Sequence, residues 1–183
     1  MVYDYNMSGI IPIEVVPYDP RWPAHFERAS RALMAAIGVY ISTIEHIGST
    51  AVPGLAAKPV IDILIAVNSL DDAPAFLPLL APLGYTYIQR HEAVFPERRY
   101  LHRIVRGRHT HHLHIVEPAS DFFLTQLLFR DYLRSHPEAV AQYSALKYQL
   151  AEKYHYDREA YTDAKSGFIQ HILLMAENDS LQT

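Results

Sequence analysis

The segment His46-Ile47-Gly48-Ser49-Thr50-Ala51-Val52-Pro53-Gly54-Leu55-Ala56-Ala57-Lys58-Pro59-Val60-Ile61-Asp62-Ile63-Leu64-Ile65 restricts the fold more than any other part of the chain. Residues 41–47 and 60–67 are β-branched runs bounded by turn residues, so both read as strands. A Gly48-Ser49 turn follows the first run, and a single aspartate, Asp62, heads the second. Backbone N–H groups in such a turn can cradle a phosphate, and a serine hydroxyl adds a donor. The turn is not a P-loop, because no Gly-Lys-Ser/Thr ending follows the first glycine at the required spacing.

The rest of the chain alternates before it becomes helical. Residues 11–16 form a short strand candidate, and Asp19-Pro20 supplies an N-cap with proline at the first helical position. Trp22, Phe26, Ala29, Leu33 and Ile37 recur at helical spacing, with Gly38 at the stop. Ser69 and Asp72 resemble a capping box ahead of Phe76, Leu77, Leu80 and Leu83, a helix that Pro78 and Pro82 keep short or kinked. Residues 85–88, 100–105 and 111–116 read as strands with connections short enough for antiparallel neighbours. Beyond Phe122 the period is helical: Val140, Tyr143, Leu146 and Leu150 form one stripe. Tyr161, Ala164, Phe168, Ile172 and Met175 form another, on a last helix capped by Asp157. The expected architecture is α+β: a mixed sheet over residues 11–118 flanked by helices, and a helical part over 119–178. A flexible tail of residues 1–10 precedes this single domain.

Composition removes some functions. The formal net charge of −4 provides no global attraction to nucleic acid or anionic membrane, and no reader motif for DNA or RNA is present. With no cysteine there is no disulfide, thiolate zinc site or cysteine nucleophile, as suits a cytoplasmic protein. No apolar run approaches the roughly 20 residues of a membrane span.

Two further groups bear on chemistry. Eleven histidines is a high number, and they bunch at His102, His109, His111, His112 and His114. Residues two apart share a strand face, so His112 and His114 point together and His111 points away. Two imidazoles with a carboxylate such as Asp62 suit zinc, manganese or iron; the alternative is a histidine-rich surface strand. Among the basic residues, Arg99 and Arg130 are held as anion contacts. Arg98, Arg103, Arg106, Arg108, Arg134, Lys147 and Lys165 are read as surface.

The 46–62 segment resembles the signature of the GrpB family. Val16-Pro17-Tyr18-Asp19-Pro20-Arg21-Trp22 upstream and His112-Leu113-His114 downstream extend the match. So do Phe129-Arg130-Asp131-Tyr132-Leu133-Arg134, Tyr143, Leu146-Lys147, and Tyr161 with Lys165, which carry it over nearly the whole chain. The resemblance implies a nucleotidyltransferase-like fold, shared with DNA polymerase beta and the small antibiotic-modifying nucleotidyltransferases. It also implies a kinship with domains fused to dephospho-coenzyme A kinase.

That superfamily pattern is a Gly-Ser turn, then Asp-x-Asp opening a strand, with a third acid on a neighbouring strand. The acids hold two divalent cations for in-line phosphoryl transfer. Gly48 and Ser49 match the turn and Asp62 matches the second acid, but Val60 stands where the first should be. The His112/His114 pair replaces the third, and Glu45 or His46 is left to make up the missing ligand. The resemblance therefore implies a site of Asp62 and Ser49 as catalytic groups. Gly48, Ser49, Thr50, Lys58, Arg99 and Arg130 would contact phosphate. Asp62, His112 and His114 would hold a divalent metal such as magnesium, manganese or zinc. The ligand would be a nucleotide or a phosphorylated small molecule. The function classes left open are a nucleotidyltransferase with an altered metal centre, a binding module without catalysis, and a metal-dependent hydrolase.

Overall fold

The computed structural model describes residues 12–180, so the tail at 1–10 lies outside the described residues. Five strands form one mixed sheet in the order β1-β2-β5-β4-β3. β1 (Ile41–Ile47) runs antiparallel to β2 (Ile61–Val67), which runs parallel to β5 (Arg108–Val116). β4 (Arg98–Val105) is antiparallel to both β5 and β3 (Tyr85–Tyr87). The parallel β2–β5 pair needs a crossover, and the intervening helix, β3 and β4 provide it. The fold is the nucleotidyltransferase-like α+β arrangement.

Strand β2 explains why its sequence is a nearly unbroken apolar run: it lies inside the sheet and is covered on both faces. Ile61, Ile63, Ile65 and Val67 face α1 (Trp22–Ile37) and α2 (Ala73–Leu80), packing with Leu33, Ile37, Phe76, Leu80, Leu113 and Ile115. Leu64 and Ala66 face the other way, onto Ile47, Val116 and Phe123 of α3 (Asp121–Ser135). Asp62 is the single polar residue of this strand and shares the α3 face with Leu64.

Of the remaining helices, α4 (Pro137–Tyr154) and α6 (Ser166–Ser180) pack against α3, and α5 (Arg158–Asp163) packs against α4. They hold the loop that follows the Gly48-Ser49 turn. Val52 and Leu55 are buried against Leu133, Val140, Tyr143 and Ile172, and the Ala56 N–H donates to Ser144 Oγ at 3.1 Å. The helical extension therefore shapes the loop between β1 and β2. Among the described residues no helix is long and apolar enough to cross a membrane.

Several local expectations differ from the structure. Of residues 11–16, Ile11 is outside the described residues, and the others form no strand: Val16 makes only an isolated bridge to Ala57. Asp19 caps the turn before α1 rather than the helix, accepting the Arg21 N–H at 2.9 Å, and Pro23 takes the first-turn proline position. Gly38 keeps right-handed angles and leads into a 3₁₀ turn. β3 stops at Tyr87, and β4 begins two residues early, at Arg98. The last stripe is split between two helices: Asp157 caps α5, and Ala164 and Met175 are exposed.

Candidate functional site

The Gly48-Ser49 turn and Asp62 meet because Ile47 pairs with Asp62 across the β1–β2 ladder. Gly48 has φ +68°, and a β-carbon there would lie 2.9 Å from the Asp62 Cγ, so only glycine fits between turn and carboxylate. Asp62 in turn pairs with His112 across the β2–β5 ladder, and its Oδ1 accepts from His112 Nδ1 at 2.9 Å. His112 Nε2 lies 3.3 Å from His109 Nδ1. The result is a line of polar groups, His109–His112–Asp62, ending at the turn. Asp62 keeps a quarter of its side chain accessible (25%), so the carboxylate is deep but reachable.

Burial would raise the Asp62 pKa, but the His112 hydrogen bond, helped by the Lys58 charge, outweighs it and holds the carboxyl below its ordinary range. An ionised Asp62 can only accept, so His112 Nδ1 carries the proton and Nε2 is the basic nitrogen. His114 lies on the same face, with the Tyr100 ring tilted against both imidazoles at 5.7 and 5.3 Å. Burial pushes His114 down to about 3, which keeps it neutral.

Three lysines close the other side of the turn. Lys147, from α4, is only 2% exposed, and its Nζ donates to Ser49 Oγ at 3.0 Å. Lys58 and Lys165 flank the buried Tyr161 ring, with their Nζ atoms 4.9 and 4.5 Å from its centroid, and Lys147 Nζ lies 4.3 Å from that of Tyr143. Ring faces attract a cation without neutralising it. Among the described residues none of the three ammonium groups pairs with a carboxylate. Burial, then the charges of Lys165 and Lys58, push Lys147 down to about 7; burial and Lys58 push Lys165 down to about 8. Burial and Arg158 also lower Lys58, against the pull of Asp62.

The other expected contacts are spread more widely. Thr50 is buried and structural: its Oγ1 donates to the Val60 carbonyl at 3.2 Å and lies 3.0 Å from His46 Nε2. Glu45 and His46 alternate across the sheet. Glu45 pairs with Arg130 at 2.6 Å on the α3 face, whereas His46 stacks on Phe26 of α1 with ring centroids 4.7 Å apart. Arg130 is buried and engaged by Glu45, Asp131 and the His46 carbonyl. Arg99 pairs in register with Ile115, so it projects from the opposite face to Asp62, where it meets Glu92 at 3.0 Å and the Pro96 carbonyl. The structure thus joins Gly48, Ser49, Lys58, Asp62 and His112, and leaves Arg99 and Arg130 bound to carboxylates elsewhere.

Lys147 and Lys165 were read as surface from the sequence, and the structure corrects this for both. A signal was present for Lys147: it sits four residues after Tyr143 and three before Leu150, on the apolar side of α4. A lysine on a buried stripe calls for a partner or a ligand. His109 joins the line through a register shift between Arg103 and Ile104 opposite it, which no sequence pattern announces.

The donor set does not fit a divalent metal. Val60 brings no oxygen ligand, and Asp62 and His112 satisfy each other. His114 Nδ1 is buried without a hydrogen-bond partner. Among the described residues no group of three His, Asp or Glu side chains is arranged to hold a metal ion.

Comparison with known proteins bears on the family and the fold. The GrpB protein family model matches residues 12–174. A UPF0157 protein of Pseudomonas aeruginosa is 40% identical over 166 residues, covering 88% of this chain and 66% of that protein. A dephospho-CoA kinase of Mycolicibacterium paratuberculosis is 34% identical over 179 residues, covering 84% of this chain and 43% of the kinase. The crystal structure of the conserved protein GrpB from Enterococcus faecalis superposes with a TM-score of 0.84 at 35% identity, covering 92% of this chain and 99% of that one. The chain therefore spans just under two thirds of the Pseudomonas relative's length.

Proposed function

The chain belongs to the GrpB family, and from that footing we propose that it binds a nucleotide or another phosphate-bearing small molecule at the Gly48-Ser49 turn. The observation that carries this reading is Lys147. An ammonium group 2% exposed, hydrogen-bonded to a turn serine and paired with no carboxylate, is costly to keep unless an anion completes it. Lys58 and Lys165 approach the same turn from a loop and from the α5–α6 junction, so the site is built by three separate segments. Ser49 then shares its hydroxyl between Lys147 and the ligand. The name of the Mycolicibacterium relative, a dephospho-CoA kinase, is in keeping with a phosphate-bearing ligand, although this chain covers less than half of it.

A second reading, group transfer at the same turn, rests on the Asp62–His112 pair. A carboxylate that fixes the Nδ1 proton leaves Nε2 the basic nitrogen, able to take a proton from an attacking hydroxyl that displaces His109 from it. No step in this reading uses a metal, because the donor set does not fit one.

The test of the first reading is calorimetry with nucleoside di- and triphosphates against wild type and Lys147→Met. Binding by wild type that the variant loses supports it; equal binding by both sinks it. Pyrophosphate release from the nucleoside triphosphates, lost in His112→Gln and present in wild type, tests the second.

A further inference from the structure

The charge around the turn specifies more than the presence of an anion. Lys58, Lys147 and Lys165 influence one another and Asp62 electrostatically, and each is pulled below its ordinary pKa. Lys58 and Lys165 share the Tyr161 ring and Lys147 holds Ser49 beside Tyr143, so three ammonium groups act on one carboxylate, which is already hydrogen-bonded to His112. The excess is positive, and it sits in partly or fully buried positions where water screens it weakly. The three Nζ atoms lie over the faces of Tyr143 and Tyr161, an arrangement that leaves N–H groups available to donate to a ligand's oxygens.

Two consequences follow for the ligand. A single negative charge leaves most of the excess uncompensated, whereas several charged oxygens held by several ammonium groups would offset it. A divalent cation brought in with the phosphates would add to the repulsion the lysines already exert, and it would find only one carboxylate, with Gly48 against one oxygen and His112 on the other.

The geometry points to an oligophosphate bound without a metal ion, its charge neutralised by Lys58, Lys147 and Lys165. This inference rests on the phosphate-binding reading above. It makes the lysines the counter-charge and leaves Asp62 to hold His112. The ligand class is a di- or triphosphate, free or as the tail of a nucleotide, taken from solution in its metal-free form.

Calorimetry with inorganic tripolyphosphate tests it, in one arm with excess EDTA and in the other with excess magnesium, at matched ionic strength. Affinity in EDTA equal to or tighter than in magnesium is the expected result. Lys147→Met and Lys165→Gln are each expected to weaken the EDTA-arm affinity about tenfold, with melting temperatures confirming that both variants fold. Tighter binding with magnesium overturns the metal-free mode and leaves the phosphate-binding reading standing. Binding in EDTA that neither lysine variant weakens overturns both, because it removes Lys147 from the site. No binding of tripolyphosphate or of nucleoside triphosphates in either arm overturns both.

Discussion

Gly48 and Asp62 are fitted to each other: a β-carbon on Gly48 would fall 2.9 Å from the Asp62 Cγ and closer still to Oδ2. The turn can approach the carboxylate only because the glycine has no side chain and tolerates φ +68°. Gly48→Ala is expected to cost about 1–3 kcal/mol from backbone strain alone, with the clash adding to it. Urea unfolding of Gly48→Ala, Asp62→Ala and the double variant forms a cycle in which the double is more stable than the two singles predict. Strict additivity would show that the close approach is not what constrains Gly48.

Lys147 links stability to pH in the alkaline range. Its folded pKa is pushed down to about 7 from the ordinary 10.5, so between those values the unfolded chain binds a proton that the folded chain does not. Stability therefore rises with pH across that window, by an amount on the order of a few kcal/mol. Thermal melts from pH 7 to 10 should show the rise in wild type and lose much of it in Lys147→Met. A wild-type curve that is flat or falling would contradict the buried, unpaired ammonium.

Buried histidines set the acid limit. Burial, assisted by Arg134 and Arg130 and opposed by Asp62, holds His46 down to about 4. Below pH 6.5 the unfolded imidazole takes up a proton that the folded one refuses, so stability falls as pH drops from 6.5 toward 4. His46→Gln can keep a hydrogen bond to Thr50 and cannot titrate, and its urea midpoint is expected to vary less over that interval. An equal slope in wild type and variant would remove His46 from the cause.

Arg130 is a brace between α3 and β1 rather than a ligand contact. Its Nη1 donates to Glu45 at 2.6 Å and to the His46 carbonyl at 3.1 Å, with Asp131 on its Nε. Arg130→Met strands a carboxylate and empties a buried position, so a loss of about 3 kcal/mol is expected in denaturant unfolding. Arg99→Ala, on the opposite face of the sheet, should leave tripolyphosphate affinity at the wild-type level. A large affinity loss in Arg99→Ala would move the site away from the turn.

Much of the fold was legible because its signals are local. The alternation in 41–47, the apolar run of β2 and the helical spacing of Trp22, Ala29, Leu33 and Ile37 each reflect a single element burying one face or two. Errors fell where a local signal competes with its neighbours. Asp19 caps the residue two ahead of it instead of the helix, and Ala164 and Lys165 interrupt what looks like one continuous stripe.

The site divides along the same line. From the chain alone came the turn, Asp62 and the shared face of His112 and His114, because these depend on strand alternation and on spacing within about twenty residues; the mismatch at Val60 came from the family resemblance. Which cations reach the turn depends on packing. Lys58 stands many tens of residues before Lys147 and Lys165, and it meets them only because the loop after Ser49 buries Val52 and Leu55 against α3, α4 and α6. Arg99 and Arg130 looked equally suitable by residue type, yet register sent one to the far face and a carboxylate claimed the other. Periodicity records which face a residue takes; long-range contact decides what it meets there, and charge acts on whatever is met.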